Sequence, residues 1–123
     1  MSAEPPLDTT PLREGAASLG IALDDAALTR FSALTRLLLE WNARFNLTAI
    51  TDPAAVLTRH MLDSLTCVVA LDTAVLTGSP RVVDVGSGAG FPGLPLAIAF
   101  PRWQVTLLEA TEKKVGFQRE AAS

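Results

Sequence analysis

Four glycines fall within eight residues of the stretch VVDVGSGAGFPGLPLA, which runs from Val82 to Ala97. They are Gly86, Gly88, Gly90 and Gly93. Because glycine lacks a Cβ atom, such a turn lets a ligand lie directly against the backbone. Asp84 stands just before the turn, and its carboxylate favours a ligand that carries positive charge. The pattern therefore indicates a ligand-binding loop, and the charge of each candidate ligand decides which class fits beside Asp84.

Two common phosphate-binding loops do not fit this stretch. A P-loop, G-x-x-x-x-G-K-[ST], requires a lysine and a hydroxyl residue where Leu94 and Pro95 stand. A dinucleotide loop, G-x-G-x-x-G, requires its third glycine where Phe91 stands. The carboxylate of Asp84 would also repel a pyrophosphate at close range. The sequence therefore predicts a ligand without these phosphates.

S-adenosylmethionine fits the charges better, because its methionine part bears an ammonium and its sulfur is a cation. The observed D-x-G-x-G-x-G, from Asp84 to Gly90, sets a carboxylate beside a bare backbone. Glu109 follows 23 residues after Gly86, where a carboxylate can accept hydrogen bonds from both ribose hydroxyls. Alternatives stay open: the glycines could form only a tight turn, Asp84 could cap amides of the loop, and Glu109 could be a solvated strand end.

These residues need a scaffold of strand, turn, helix and strand. RVVDVG (81–86) is a β-branched run that ends at a glycine, as a buried parallel strand does, and QVTLLE (104–109) is a second such run. Between them, GLPLAIAF (93–100) fits a short helix that tolerates Pro95 in its first turn and stops at Pro101. This order predicts a βαβ unit, with the glycine loop at the carboxyl end of its first strand.

Helices are predicted for most of the first eighty residues, after a loose tail at residues 1–9. Thr10 is the expected N-cap of the first helix, and Gly20 is its stop. A longer helix is expected to begin with Asp24 or Asp25 as its cap. Gaps of three and four residues give that helix one apolar stripe, formed by Leu28, Phe31, Leu34, Leu38, Trp41 and Phe45.

A third helix is expected to open at Asp52-Pro53 by the same capping logic. Its predicted inward residues are Val56, Leu57, Met61, Leu65 and Val68. A loop follows at residues 77–80. The chain is thus divided into a tail and helical subdomain at residues 1–80 and the start of an α/β domain at residues 81–123.

Composition narrows the class of protein. The chain has 123 residues, of which 49% are hydrophobic and 19% charged, as is typical of a globular domain. Its net charge is −3, so it lacks the basic surface of a self-sufficient nucleic-acid binder. The single cysteine, Cys67, excludes an internal disulfide framework and suits a reducing compartment. No apolar run approaches the roughly 20 residues of a membrane span.

Four blocks resemble the bacterial 16S rRNA guanine-N7 methyltransferase G family, also called glucose-inhibited division protein B. They are WNARFNLTAITDP (41–53), RHMLDSL (59–65), DVGSGAGFPGLPLAI (84–98) and LLEATEKKVGF (107–117). The resemblance implies an α/β fold in which a helical N-terminal part precedes a Rossmann-like, S-adenosylmethionine-dependent methyltransferase domain. It also implies methylation of one guanine at N7 in 16S rRNA of the small ribosomal subunit. The implied protein is cytoplasmic, monomeric at full length, and without a metal or a membrane partner.

The resemblance implies that Gly86 and Phe91 touch the cofactor and that Glu109 holds its ribose. Together with Asp84 and Gly88, these residues form the predicted cofactor-binding set. No catalytic side chain is predicted, because guanine N7 bears a lone pair and no proton. It can attack the sulfonium methyl without a general base, so catalysis depends on holding the reacting atoms in line.

Other polar residues in these blocks are assigned mainly structural roles. His60, the only histidine, is expected to position its helix, although a role facing the substrate stays open. Asn42 and Asn46 lie one helical turn apart and are expected to cap and anchor a helix end. Lys113 and Lys114 are expected to form a solvated helix start.

Members of this family are longer than 123 residues, so we expect this chain to be a fragment with two strands of its sheet. One face of the first strand should then lack cover at Val82, Val83 and Val85. We expect residues 1–123 alone to bind S-adenosylmethionine at best weakly and not to methylate RNA. Two other interpretations stay open: a methyltransferase with another substrate, and a non-enzymatic piece whose helices bind a partner.

Overall fold

The structure, a computed structural model, describes residues 7–122. Residues 1–6 of the predicted tail lie outside the described residues, as does Ser123. The elements are α1 (Thr10–Ser18), α2 (Asp25–Phe45), α3 (Pro53–Val56), a π-helical segment (Leu57–Leu62), α4 (Asp63–Leu65), a 3₁₀ segment (Thr66–Ala70), α5 (Thr73–Thr77), β1 (Arg81–Val85), α6 (Gly93–Ala99), β2 (Gln104–Leu108) and α7 (Glu112–Ala122). Of these, the short helix α5 was not predicted.

Helix α1 has the predicted stop and a shifted start. Thr9 is its N-cap, and Thr10 is already the first helical residue. The Thr10 amide donates to the Asp8 carboxylate at 3.0 Å, so Asp8, and not the Thr10 side chain, accepts a hydrogen bond at the start of the helix. Gly20 adopts a φ of 81° just after the helix, a conformation that glycine reaches without a steric penalty.

Helix α2 supplies much of the core. Asp24 is its N-cap and accepts a hydrogen bond from the Ala27 amide at 2.8 Å. Trp41 and Phe45 are half-buried, and Trp41 packs against the Phe117 ring of α7. Burial of each large apolar side chain contributes about 1.5–3 kcal/mol. The other predicted stripe residues are buried, namely Leu28, Phe31, Leu34 and Leu38.

The segment at residues 53–70 follows one helical path with a changing pitch. Asp52 caps it by accepting a hydrogen bond from the Ala55 amide at 3.1 Å. The predicted third helix is present from Asp52-Pro53 onward, but π-helical and 3₁₀ turns interrupt its α-helical pitch. The spacing of five apolar residues is too short a pattern to distinguish π-helical or 3₁₀ turns from an α-helix with 3.6 residues per turn. The predicted inward residues are nevertheless all buried: Val56, Leu57, Met61, Leu65 and Val68.

Strands β1 and β2 are parallel neighbours and α6 connects them, which confirms the predicted βαβ unit and fold class. Asp84 lies opposite Leu107 in the register. Pro95 is the third residue of α6 and Pro101 follows its end, as the sequence predicted.

The two faces of this small sheet differ in cover. On one face Val82 and Leu107 pack against the hydrophobic core. On the other face Val83 is 56% exposed and Val85 is 77% exposed. The predicted uncovered face is therefore confirmed for Val83 and Val85 and wrong for Val82, because side chains alternate along a strand. The prediction that β1 is buried holds for one face only.

One hydrophobic core joins the helical and βαβ parts. Leu12, Phe31 and Met61 from the helices lie in the same cluster of buried side chains as Leu94 and Phe117. The division at residue 80 stays a prediction, but the packing on its two sides is continuous. Within residues 7–122, no helix combines the length and apolarity needed to cross a lipid bilayer.

Candidate functional site

The glycine loop begins where β1 ends and is tied to the end of β2. The amides of Gly86 and Ser87 both donate to the Leu108 carbonyl, at 2.8 and 3.0 Å. The chain then turns sharply, and the Gly90 amide donates to the Ser87 carbonyl at 2.8 Å. The turn uses left-handed backbone at Gly86 (φ 66°) and Gly88 (φ 59°), which glycine adopts without strain.

The front of this loop, at Gly86 and Gly88, has free space around it, whereas its rear, at Gly90 and Gly93, is closely packed. A Cβ atom at Gly86 or Gly88 would meet nothing within 4 Å. A Cβ atom at Gly93 would lie 2.3 Å from Leu107 Cδ2, and one at Gly90 would lie 2.4 Å from Leu94 Cδ1. Only the front glycines therefore leave room for a ligand against the backbone.

The Asp84 side chain binds the start of α6. Its Oδ2 atom accepts a hydrogen bond from the Gly93 amide at 3.0 Å, and the residue is half-buried. A carboxylate at a helix N-terminus satisfies a free amide and is stabilised there. The interpretation that Asp84 caps amides after the loop is thus part of its role.

The Glu109 carboxylate bridges the loop and the start of the segment that leads to α7. Its Oε1 accepts from the Gly88 amide at 2.8 Å, and its Oε2 accepts from the Thr111 amide at 3.0 Å. These hydrogen bonds, the Thr111 amide first, lower the pKa of Glu109 below its ordinary value. The structure thus brings Glu109 and Gly88, which are 21 residues apart, into direct contact.

Phe91 leaves the loop and stacks on His60. The two rings are 5.0 Å apart between centroids and inclined by 6°. His60 Nε2 lies 2.7 Å from Thr48 Oγ1, so the imidazole is held on a second side. Partial burial lowers the pKa of His60, and the Asp63 carboxylate acts in the opposite direction. His60 thus contacts Phe91 of the loop, which the sequence did not indicate, and its expected role in positioning its own helix stays a prediction.

Asn42, Asn46 and Lys113, which were assigned structural roles, lie at the ends of α2 and α7. Asn42 Oδ1 accepts from the Thr48 amide at 2.7 Å, so it anchors the chain that leaves α2, as predicted. Asn46 is the C-cap of α2 with a φ of 51°. Lys113 lies at the start of α7 with its ammonium 5.5 Å from the centre of the Phe45 ring.

Gln118 is a site residue that the sequence analysis missed. Its Nε2 donates to Ser87 Oγ at 2.8 Å and to the Gly88 carbonyl at 2.6 Å. Gln118 and its neighbour Phe117 are both buried. The sequence did contain one signal for this role: Gln118 is a polar residue directly beside Phe117, an aromatic residue on the inner side of the predicted helix.

An apolar groove in the described part of the chain lies away from the front glycines. It has a volume of about 810 Å³ and lies between α2, α6, β2 and the end of α7. Gly93 lines it, whereas Asp84, Gly86, Gly88 and Glu109 do not. Loop chemistry and contacts, and not cavity size, thus define the candidate site. Residues 7–122 contain no cluster of three or more His, Cys, Asp or Glu side chains able to hold a metal.

Comparison with known proteins identifies a family. The family model for rRNA small subunit methyltransferase G (GidB) matches residues 27–123. A protein named ribosomal RNA small subunit methyltransferase G from Caldanaerobacter subterraneus is 48% identical over 106 residues, which cover 86% of this chain and 43% of that protein.

Relatives with the same name give the same result. The protein from Chromohalobacter salexigens is 47% identical over 110 residues, which cover 89% of this chain and 50% of that protein. The protein from Burkholderia thailandensis is 48% identical over 110 residues, which cover 89% of this chain and 47% of that protein. The chain thus spans about half the length of these curated relatives.

Proposed function

The chain belongs to the rRNA small subunit methyltransferase G family, and on that premise we propose that its glycine loop binds S-adenosylmethionine. We further propose that the protein containing it methylates guanine N7 in 16S rRNA of the small ribosomal subunit. The reaction takes place in the cytoplasm, where small subunits are found. The relatives' names support the rRNA substrate, and the site chemistry supports the cofactor.

One observation carries the cofactor proposal: an ionised carboxylate lies directly beside an open glycine backbone. Glu109 contacts the Gly88 amide, and the space in front of Gly86 and Gly88 is free of protein atoms within 4 Å of a Cβ position. A carboxylate keeps lone pairs for further donors after accepting one hydrogen bond at each oxygen. Glu109 can therefore accept from ribose hydroxyls without releasing the loop. The residues present fit S-adenosylmethionine.

The other predicted residues have separate parts in this proposal. Asp84 adds negative charge behind the loop, which attracts the ammonium and sulfonium of the ligand. Its hydrogen bond to Gly93 also fixes the start of α6. Phe91 offers an apolar surface beside the glycines and is kept in place by His60. Asp84, Gly86, Gly88, Phe91 and Glu109 thus form the proposed cofactor site.

Bound S-adenosylmethionine supplies an electrophilic methyl group on its sulfur. The acceptor N7 already bears the lone pair that forms the new bond, so no side chain of this chain has to remove a proton. The residues of the loop act by orientation, because alignment of nucleophile and leaving group lowers the barrier without acid or base chemistry. This agrees with a site that has carboxylates and glycines at its centre.

A methyl-transfer assay with the complete gene product tests the proposal. Label from S-adenosylmethionine should appear as N7-methylguanine in small subunits that lack the modification, and mass spectrometry of digested rRNA should locate it. Ribosomal proteins and large subunits serve as competing acceptors. The matched control is a Gly86→Val variant, which should transfer no label. Label in protein, or in RNA at another atom, would point to a methyltransferase with a different substrate.

A further inference from the structure

Gln118 holds the Gly88 carbonyl from inside the molecule. Its Nε2 lies 2.6 Å from that oxygen and 2.8 Å from Ser87 Oγ, and only 6% of the residue is exposed. A carbonyl oxygen only accepts hydrogen bonds, so the amide nitrogen of Gln118 must face it. No part of the proposed chemistry uses this buried amide, although it touches the loop directly.

Residue Gly88 is thus held from two sides. Its amide donates to Glu109 Oε1 at 2.8 Å, and its carbonyl accepts from Gln118. The residue has a φ of 59°, and a Cβ atom added on its open side would meet no neighbour within 4 Å. The two side chains together fix the direction of this part of the loop.

Gln118 is itself fixed by contacts between α7 and α2. Its neighbour Phe117 is fully buried and packs edge-to-face on Trp41, with 5.9 Å between ring centroids. The Trp41 indole donates to Glu120 Oε2 at 2.6 Å. The amide of Gln118 therefore stands on a helix that is anchored before and after it, and its reach to Gly88 is set by the core.

We infer that Gln118 is a positioning residue for cofactor binding, which holds Gly88 in the conformation that the ligand requires. This inference rests on the proposed S-adenosylmethionine site. A loop that is ordered before binding spends less entropy on binding, so it binds its ligand more tightly than a mobile one. Removal of the donor should weaken cofactor affinity without removing the fold.

The test compares Gln118→Met with Arg119→Met in the complete gene product. The first change keeps the length of the side chain and removes the amide, and the second makes a similar change at an exposed position of the same helix. Titration calorimetry with S-adenosylmethionine should give an affinity about tenfold weaker for Gln118→Met, the size expected for a lost hydrogen bond. Arg119→Met should bind as the unmodified protein does.

Amide hydrogen exchange without cofactor gives an independent readout. Exchange at Gly88 should become faster in Gln118→Met, while exchange in β1 and β2 stays the same. If Gln118 merely filled the core, its replacement would lower the melting temperature and speed exchange in the strands, and exchange at Gly88 relative to the strands would stay unchanged. Gln118→Leu is the second variant, because its apolar side chain cannot donate to the Gly88 carbonyl, so it should show the same faster exchange at Gly88.

Each outcome has a separate meaning. Unchanged affinity and unchanged Gly88 exchange in a folded Gln118→Met would overturn the inference and leave the cofactor site intact. Absence of binding by the unmodified protein would overturn the proposed function, and the role of Gln118 in binding with it. Unfolding of both Gln118 variants beside a folded Arg119→Met would also overturn the inference, since Gln118 would then serve the core.

Discussion

The front and the rear of the glycine segment use the same residue type for different purposes. At Gly86 and Gly88 an added Cβ atom would enter open space, whereas at Gly90 and Gly93 it would collide with leucine side chains. The front glycines leave their backbone open, whereas Gly93 lets α6 pack closely on Leu107 of β2 and Gly90 lets the loop pack closely on Leu94 of α6. Counting glycines in a motif therefore does not show which of them bind.

The largest expected effect comes from filling the front. Gly86→Val should abolish S-adenosylmethionine binding in the complete gene product, because the side chain enters the proposed ligand space. Gly20→Val is the matched control, since Gly20 also has a positive φ and open surroundings but lies just after α1. Calorimetry should show binding for the control alone, with helical circular dichroism retained in both. If a folded Gly86→Val variant bound S-adenosylmethionine normally, the front glycines would not differ from the rear glycines in leaving space for the ligand.

Filling the rear should instead weaken the fold. A Cβ atom at Gly93 would lie 2.3 Å from Leu107 Cδ2 and 3.0 Å from Asp84 Oδ2. We expect Gly93→Ala to lower the free energy of unfolding by about 1–3 kcal/mol, the usual cost of overpacking. Urea denaturation measures it, and a double variant with Leu107→Val should recover part of the loss because the two sites are in contact. Equal costs with and without the leucine change would show that Gly93 is not a packing glycine.

Sequence reasoning located the loop and most of the core because these depend on local signals. The Asp24 and Asp52 caps and the apolar stripe of α2 follow from spacing along one helix. The contact between Gln118 and Gly88 joins residues 30 apart, and no local pattern encodes it. The stacking of His60 on Phe91 likewise depends on how two segments meet.

Sequence patterns were also insufficient for Asp84, to which they assigned two alternative roles, and for the faces of β1. Asp84 was predicted as a cofactor carboxylate, with capping of loop amides as an alternative, and the structure shows its contact with the Gly93 amide where the loop meets α6. Val83 is exposed and Val82 is covered because successive side chains of a strand point to opposite faces of the sheet. The prediction of an uncovered face did not separate these two sets of residues.

A smaller effect should follow from Glu109, which comes directly after β2 and contacts the front of the loop at Gly88. Glu109→Ala removes the proposed ribose acceptor and the partner of the Gly88 amide, so affinity for S-adenosylmethionine should fall about ten- to a hundredfold. Glu112→Ala, an exposed acid in the first turn of α7, is the control and should bind normally. Unchanged affinity in Glu109→Ala would show that this carboxylate is only the end of a strand.

Glu109 also gives the loop a dependence on pH. Hydrogen bonds from the Thr111 and Gly88 amides keep its folded pKa below the ordinary value of 4.5. The stability it contributes is therefore complete above 4.5 and is lost as the pH falls through the lower, folded pKa. Protection of the Gly88 amide against exchange, taken relative to the intrinsic exchange rate at each pH, should fall in that acidic range in the unmodified protein, and Glu109→Gln should remove that fall. Protection that is independent of pH would show that Glu109 does not hold the loop.

The smallest expected effect concerns His60, which meets the loop at Phe91, between its open front and its packed rear. Burial lowers the folded pKa of His60 below 6.5, so the unfolded chain binds a proton more readily. Below 6.5 this difference reduces the free energy of unfolding, and the reduction grows until the folded pKa is passed. His60→Phe keeps a flat ring beside Phe91 and removes the titration. Urea denaturation at pH 7.5 and pH 5.5 should therefore show a smaller loss of stability in His60→Phe than in the unmodified protein. An equal loss in both would mean that His60 binds its proton equally well in both states, and that burial against Phe91 does not favour the neutral ring.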